Sequence, residues 1–200
     1  SDGARKIYFY VLGGRVVEDI IQDAKDRMQK SVSSLEEAFK RIRTGRAHPS
    51  ILDAVTVSYY GSETQISQVA NIVVEEGRTL LISPWEKSMI SDIEKAILKS
   101  DLGLNPANNG DTLRVPMPAL TEETRREYTK QAKNEAENAR IALRNIRRDA
   151  NSHLKDLEKD KEISEDDQRR SEEQIQKLTD TYVGNIEAIY QVKETDLLSI

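Results

Sequence analysis

The chain has 200 residues, a net charge of -5, 37% hydrophobic and 32% charged residues, and only 5% aromatic residues. That is enough for one compact domain or two small ones, and so much charge with so few aromatics favours helices with narrow apolar seams over a thick core. Cysteine is absent, which excludes disulfide and thiolate chemistry; no apolar run approaches the roughly 20 residues that span a bilayer, so no membrane partner is expected and the cytoplasm is the expected compartment.

The apolar run IYFYVLGG follows SDGARK near the start. It is too short for a membrane span, and no convincing cleavage site follows it. Residues 1 to 15 read as an extension outside the fold, with a short ordered strand as the alternative. From Asp19 to Thr44, the residues Ile21, Ala24, Met28, Leu35, Phe39 and Ile42 step by threes and fours, the period of an amphipathic helix. Gly45 is expected to stop it. AVTVSYYG, TQISQVANIVV and RTLLIS are rich in β-branched residues and predict three short strands.

Pro84 ends the third run, and KSMISDIEKAILKSDLG places Met89, Ile93, Ile97 and Leu98 at helical spacing before Gly103, predicting a helix that lies on the sheet. NPANNGDTLRVPMPALT supplies turns and one more strand around Leu113 to Val115, and Pro116 and Pro118 forbid helix there. Thr121 is a good N-cap before Glu122 and Glu123, and from it the chain runs to about Lys161 without Pro or Gly. About 40 helical residues would extend roughly 60 Å.

Along that helix Ala132, Ala136, Ala139, Leu143, Ile146, Ala150, His153 and Leu157 repeat as a heptad seam. Ser164 with Asp167 reads as a capping box opening a third helix to about residue 195. None of the three long helices can bury its seam alone. The expected fold is therefore α+β: an elongated three-helix bundle from 16–45 and 119–200, with 46–118 as an inserted small β/α domain. Two chain crossings join the domains, and Gly45, Arg46, Pro116 and Pro118 are the candidate hinge residues.

The stretch ARIALRNIRRDANSHL holds Arg140, Arg144, Arg147 and Arg148 in an acidic chain. Between Arg125 and Arg148 there are eight basic residues and three acids. On a helical wheel Arg140, Arg144 and Arg147 lie about a quarter-turn from the seam, beside it rather than in it. A solvated face with pairs such as Glu137 to Arg140 would account for some of this. Choice and clustering argue for more: all four are arginine, whose planar fork matches phosphate and stacks on bases. From residue 155 onward seven basic side chains face thirteen acidic ones, and that repulsion disfavours indiscriminate binding to nucleic acid. Docking on a structured RNA is the expectation.

Other chemistry finds little support. His48 and His153 are the only histidines, without metal-ligand spacing; Glu165, Asp166 and Asp167 are explained by a helix N-terminus; neither GRAHPS nor NNGDT has phosphate-loop spacing. No catalytic residue, metal or cofactor is expected. Arg43 and Arg46 flank Gly45 in IRTGRA, where a helix stop and an RNA contact explain them equally well.

IRTGRAHPSILD, SDLGLNPANNGDTLRVPMPALTEETRRE, EAENARIALRNIRRDAN and KDKEISEDDQRRSEEQIQKLTD, in that order and spacing, resemble the bacterial ribosome recycling factor family over residues 17 to 200. Residues 1 to 15 have no counterpart in that resemblance. It implies a three-helix bundle with an inserted β/α domain in an L-shaped, hinged outline like transfer RNA, acting as a monomer. It also implies a non-enzymatic function: entering the post-termination ribosome and, with elongation factor G and GTP hydrolysed by that partner, splitting the subunits. The resemblance carries large-subunit ribosomal RNA contact over to Arg144 and Arg147 with Arg140 and Arg148 beside them, and to Arg43 and Arg46. A coiled-coil adaptor for an acidic protein and an RNA chaperone without a ribosomal role remain as alternatives.

Overall fold

The computed structural model describes residues 2–198, with side chains described from Val16 onward. The chain divides into two compact units, one built from the chain up to Ile42 with Arg126–Thr195, the other from Arg43–Arg125 and the chain from Asp196 on. Among the described residues no helix is long and apolar enough to cross a membrane.

The first unit is helical. Helix α1 spans Asp2–Lys40, α3 Glu122–Lys159 and α4 Glu165–Leu198. Ala24, Met28, Leu35 and Phe39 of α1, Leu143 and Ile146 of α3, and Ile175 and Ile186 of α4 are all buried. Three alanines of α3, Ala132, Ala136 and Ala139, are buried too; with no bulk beyond Cβ they let helix axes approach closely. An Arg27–Asp149 ion pair at 3.1 Å links α1 to α3, and Arg140–Glu187 at 3.0 Å links α3 to α4. Two buried hydroxyls are satisfied within their own helix, Ser171 donating to the Asp167 carbonyl and Thr179 to that of Ile175, each at 2.7 Å.

The predicted caps of α3 and α4 are formed. Thr121 Oγ1 accepts the Thr124 N–H at 3.1 Å; Ser164 Oγ accepts the Asp167 N–H at 3.0 Å while Asp167 Oδ2 accepts the Ser164 N–H at 3.4 Å. Helix α1 departs from expectation at both ends. It runs back to Asp2, so the backbone of residues 2–15 is helical and not the short strand offered as the alternative; Gly13 and Gly14 cost about 1 kcal/mol each in a helix without stopping it. It stops at Lys40 rather than Thr44, and Gly45 instead takes a left-handed φ of +78° in the segment that follows. The seam of α3 departs as well. His153 is exposed and Leu154 is fully buried, since a straight helix drifts about 20° per heptad from a strict seven-residue repeat. Three heptads of drift carry the buried face to the next position.

The second unit holds six short strands and α2, Ile90–Lys99. Strands β1 (Thr56–Tyr59) and β2 (Ser62–Gln65) form a hairpin. A second antiparallel sheet has the order β3-β4-β6-β5, with β3 Ala70–Glu75, β4 Thr79–Pro84, β5 Ala107–Asn108 and β6 Leu113–Pro116. The run TQISQVANIVV is not one strand: a 3-10 turn at Ile66–Gln68 separates β2 from β3, and Ile66 within it is buried. Leu80, Ile82, Leu113 and Val115 pack with Ile93 and Ile97 of α2 and Val57 of β1 in a single core. Leu98, counted in the apolar face of α2, is 55% exposed.

Candidate nucleic-acid interface

The uninterrupted helical run of α3 fixes the four arginines on rigid backbone, and their burial follows their angle from the seam. Arg140 reaches Glu187 of α4 and only 24% of its side chain is exposed, against 48% for Arg144; Arg147 is half-buried and Arg148 exposed. They do not form one uniform stripe. Arg140 Nε donates to Glu137 Oε2 at 3.2 Å and its Nη1 to Glu187 Oε1 at 3.0 Å. Arg144 Nη2 reaches the other oxygen of Glu137, also at 3.0 Å. Arg147 Nη1 finds a neutral partner, Gln176 Oε1, at 3.3 Å. Arg148 makes no ion pair or hydrogen bond among the described residues.

Two carboxylates therefore face four guanidinium groups, which leaves a surplus of two positive charges on this face. Glu137 does double duty because it lies one turn before Arg140 and two before Arg144. Glu187 arrives from α4, and nothing in the local sequence of α3 announces it. Beside this cluster the Tyr190 hydroxyl donates to Glu194 Oε2 at 2.6 Å; burial foremost, then the Glu194 carboxylate, push its pKa up to about 12, with Arg140 opposing. Arg140 is thus a structural tie between helices. Among the described residues no carboxylate holds Arg147 or Arg148.

The remaining candidates lie in the other unit. Arg43 is exposed and has no ion pair or hydrogen bond among the described residues. Arg46 Nη1 pairs with Asp196 Oδ1 at 3.2 Å, and its guanidinium lies over Gly77, where an added Cβ would stand 3.4 Å from Nη2. Of the hinge candidates, Pro116 closes β6 opposite Thr79, while the Met117 N–H donates to the Arg78 carbonyl and the Ala47 N–H to the Gly77 carbonyl, each at 2.8 Å. Backbone hydrogen bonds to the turn between β3 and β4 thus hold the chain at Ala47 and at Met117. Gly45 sits against Leu120 and Pro118, both at 3.9 Å from an added Cβ.

The histidines have ordinary roles or none. His48 Nδ1 accepts the Ser50 N–H at 3.1 Å, capping the short turn Pro49–Leu52, and His153 is exposed. Among the described residues no group of three or more potential ligands is placed to hold a metal ion.

Comparison with known proteins places this arrangement. The family profile for ribosome recycling factor matches residues 35–198. The chain is 67% identical over 185 residues to the ribosome-recycling factor of Marinomonas sp., covering 92% of this chain and 100% of that one, and 58% identical over the same length and shares to that of Alcanivorax borkumensis. Among solved structures, a solution structure of a ribosome recycling factor aligns with a TM-score of 0.74 at 37% identity, covering 92% of this chain and 98% of that one. A second similar structure belongs to models of the T. thermophilus ribosome recycling factor and the E. coli elongation factor G bound to the E. coli post-termination complex, with a TM-score of 0.66, 39% identity, and 92% and 99% covered.

Proposed function

This chain belongs to the ribosome recycling factor family, whose members are translation factors and not enzymes, and from that premise we propose that it binds the post-termination ribosome in the cytoplasm through large-subunit ribosomal RNA. Elongation factor G, hydrolysing GTP, then acts on the bound factor to split the ribosome into subunits and free it from messenger RNA. The factor itself makes and breaks no covalent bond and acts as a monomer.

The observation that supports the RNA contact most directly is Arg148 with Arg147: adjacent guanidinium groups on a rigid helix, held by no carboxylate among the described residues. Arg144 contributes with the donors that Glu137 leaves open, Arg43 adds an exposed charge, and Arg140 and Arg46, each tied to carboxylate, contribute field more than contact. We assign ribosome binding to 16–45 and 119–200, and the movable inserted domain to 46–118. The hinge proper lies at 43–45 and 118–121, since Pro116 is held in its sheet and the Ala47 N–H by the Gly77 carbonyl.

Replacing Arg147 and Arg148 together by Ala tests the reading. Each lost phosphate contact lowers the salt slope of binding by about one, so the double variant should bind large subunits more weakly and with a slope reduced by about two. Its melting temperature should stay near wild type, because exposed arginines add little stability. Unchanged affinity and slope in a salt series of cosedimentation measurements would remove these residues from the interface.

A further inference from the structure

We propose that the cleft between β1 and α2 is a docking site for an extended acidic segment of another protein, which adds as a strand to the open edge of β1. The site is independent of the arginine face.

Among the described residues strand β1 pairs with β2 alone. The hairpin closes through the two residues Tyr60 and Gly61, whose φ values of +49° and +81° are those of a two-residue turn of primed type. In such a turn the flanking residues, Tyr59 and Ser62, exchange both backbone hydrogen bonds, and pairs then alternate along the ladder. With the register Val57↔Thr64 and Thr56↔Gln65, Val57 bonds to β2, whereas the N–H and C=O of Thr56 and Ser58 turn outward. A row of unpaired backbone groups is a template for a further strand.

What lies against that edge is a cleft of about 480 Å³, lined by Thr56 and Ser58 on one side and by Asp92, Lys95 and Lys99 of α2 on the other. A volume of this size suits a ligand. Lys95 and Lys99 are exposed, and neither has an ion pair among the described residues. Against the Asp92 carboxylate on the same wall, Lys95 and Lys99 leave a surplus of one positive charge in the cleft, which favours a negatively charged occupant. Spacing supports the same occupant: residues i and i+4 of a helix rise about 6 Å, and side chains i and i+2 of a strand repeat at about 6.6 Å. Carboxylates at alternate positions of an added strand would therefore meet both lysines, while its backbone bonds to Thr56 and Ser58. The helix supplies charge selection and the strand edge supplies affinity without sequence.

The test titrates the whole ¹⁵N-labelled chain with a capped six-residue peptide of alternating Glu and Val, with the same peptide carrying Lys for Glu, and with the acidic peptide N-methylated at alternate residues. The expected result is shifted amide signals at Thr56, Ser58, Lys95 and Lys99 with the acidic peptide, slowed hydrogen exchange at Thr56 and Ser58, and no binding of the basic or N-methylated forms. The double variant K95E/K99E, altering exposed side chains only, should weaken the acidic peptide about tenfold or more with an otherwise unchanged spectrum. Three outcomes would overturn the proposal: no shifts at millimolar peptide, equal binding of acidic and basic peptides, or undiminished binding of the N-methylated form. The first would leave the lysines as guards against unwanted strand pairing.

Discussion

Single side chains on α3 and α4 separate charge used for folding from charge left for binding. Arg140 bridges Glu137 and Glu187, so Arg140→Ala should lower stability by up to about 1 kcal/mol per partly exposed pair, read as a lower urea midpoint. Arg148→Ala should leave that midpoint alone and weaken ribosome binding. Were the two variants to behave alike in both assays, the division between structural and free arginines would be wrong. Asp167 gives a pH-dependent case. Its carboxyl is held below the ordinary range, chiefly by the hydrogen bond with Ser164 and further by Arg170, against the opposing effect of its burial. A carboxyl whose folded pKa is depressed contributes stability that is fully present above its unfolded pKa, about 3.9, and is lost as pH falls through the lower folded value. Ser164→Ala should therefore cost about 1 kcal/mol at pH 7 and visibly less at pH 3, measured by urea unfolding at both. The arginine cluster was legible because α3 is one unbroken periodic run, and the Glu137 pairing lay within reach of the same spacing. Glu187 was not, since it comes from a helix distant in sequence, and neither was the Arg46–Asp196 pair, for the same reason.

Elements end where local chemistry and packing allow, and the turn between α3 and α4 is an instructive instance. Lys161 occupies it with a left-handed φ of +57°, as the Glu162 N–H donates back to the Leu157 carbonyl at 2.9 Å. Glycine is the usual residue there, and an L side chain in that region costs about 1–2 kcal/mol. Lys161→Gly, at an exposed position, should thus raise stability by about 1 kcal/mol in thermal unfolding; a decrease would mean that the lysine side chain makes a compensating contact. In the bundle seam Ala136 is fully buried, and Ala136→Leu should cost about 1–3 kcal/mol by overpacking. The same physics decides what the sequence could tell. Caps at Thr121 and Ser164 were readable because Ser/Thr hydroxyls and acids act within one turn. The turn at Lys161 carries no glycine to mark it, the 3-10 interruption at Ile66–Gln68 hides in a run that alternates like a strand, and the exchange of His153 for Leu154 needs the accumulated drift of a straight helix, which no single heptad displays.

The chain passes between its two units after Ile42, after Arg125 and after Thr195, and the splitting reaction proposed above depends on how stiffly the proposed hinge segments, 43–45 and 118–121, transmit displacement. Two short segments oppose twisting more than one does, while allowing a swing. Gly45 in its left-handed conformation and Pro118 with a fixed φ both restrict the path of the chain there. Inserting a flexible Gly-Ser-Gly segment into each hinge segment separates binding from leverage. Doubling a loop of this length costs only about 0.6 kcal/mol, so both units should stay folded, and the arginines of α3, which lie outside the hinge segments, should hold large subunits with unchanged affinity. The slack linkers would let elongation factor G displace the inserted domain without moving the bundle. Subunit splitting followed by light scattering with elongation factor G and GTP should then fall to the rate seen without the factor, while cosedimentation stays intact. Full splitting activity with slack hinge segments would mean that force is not carried between the units at all, and that the factor works by occupying its site alone.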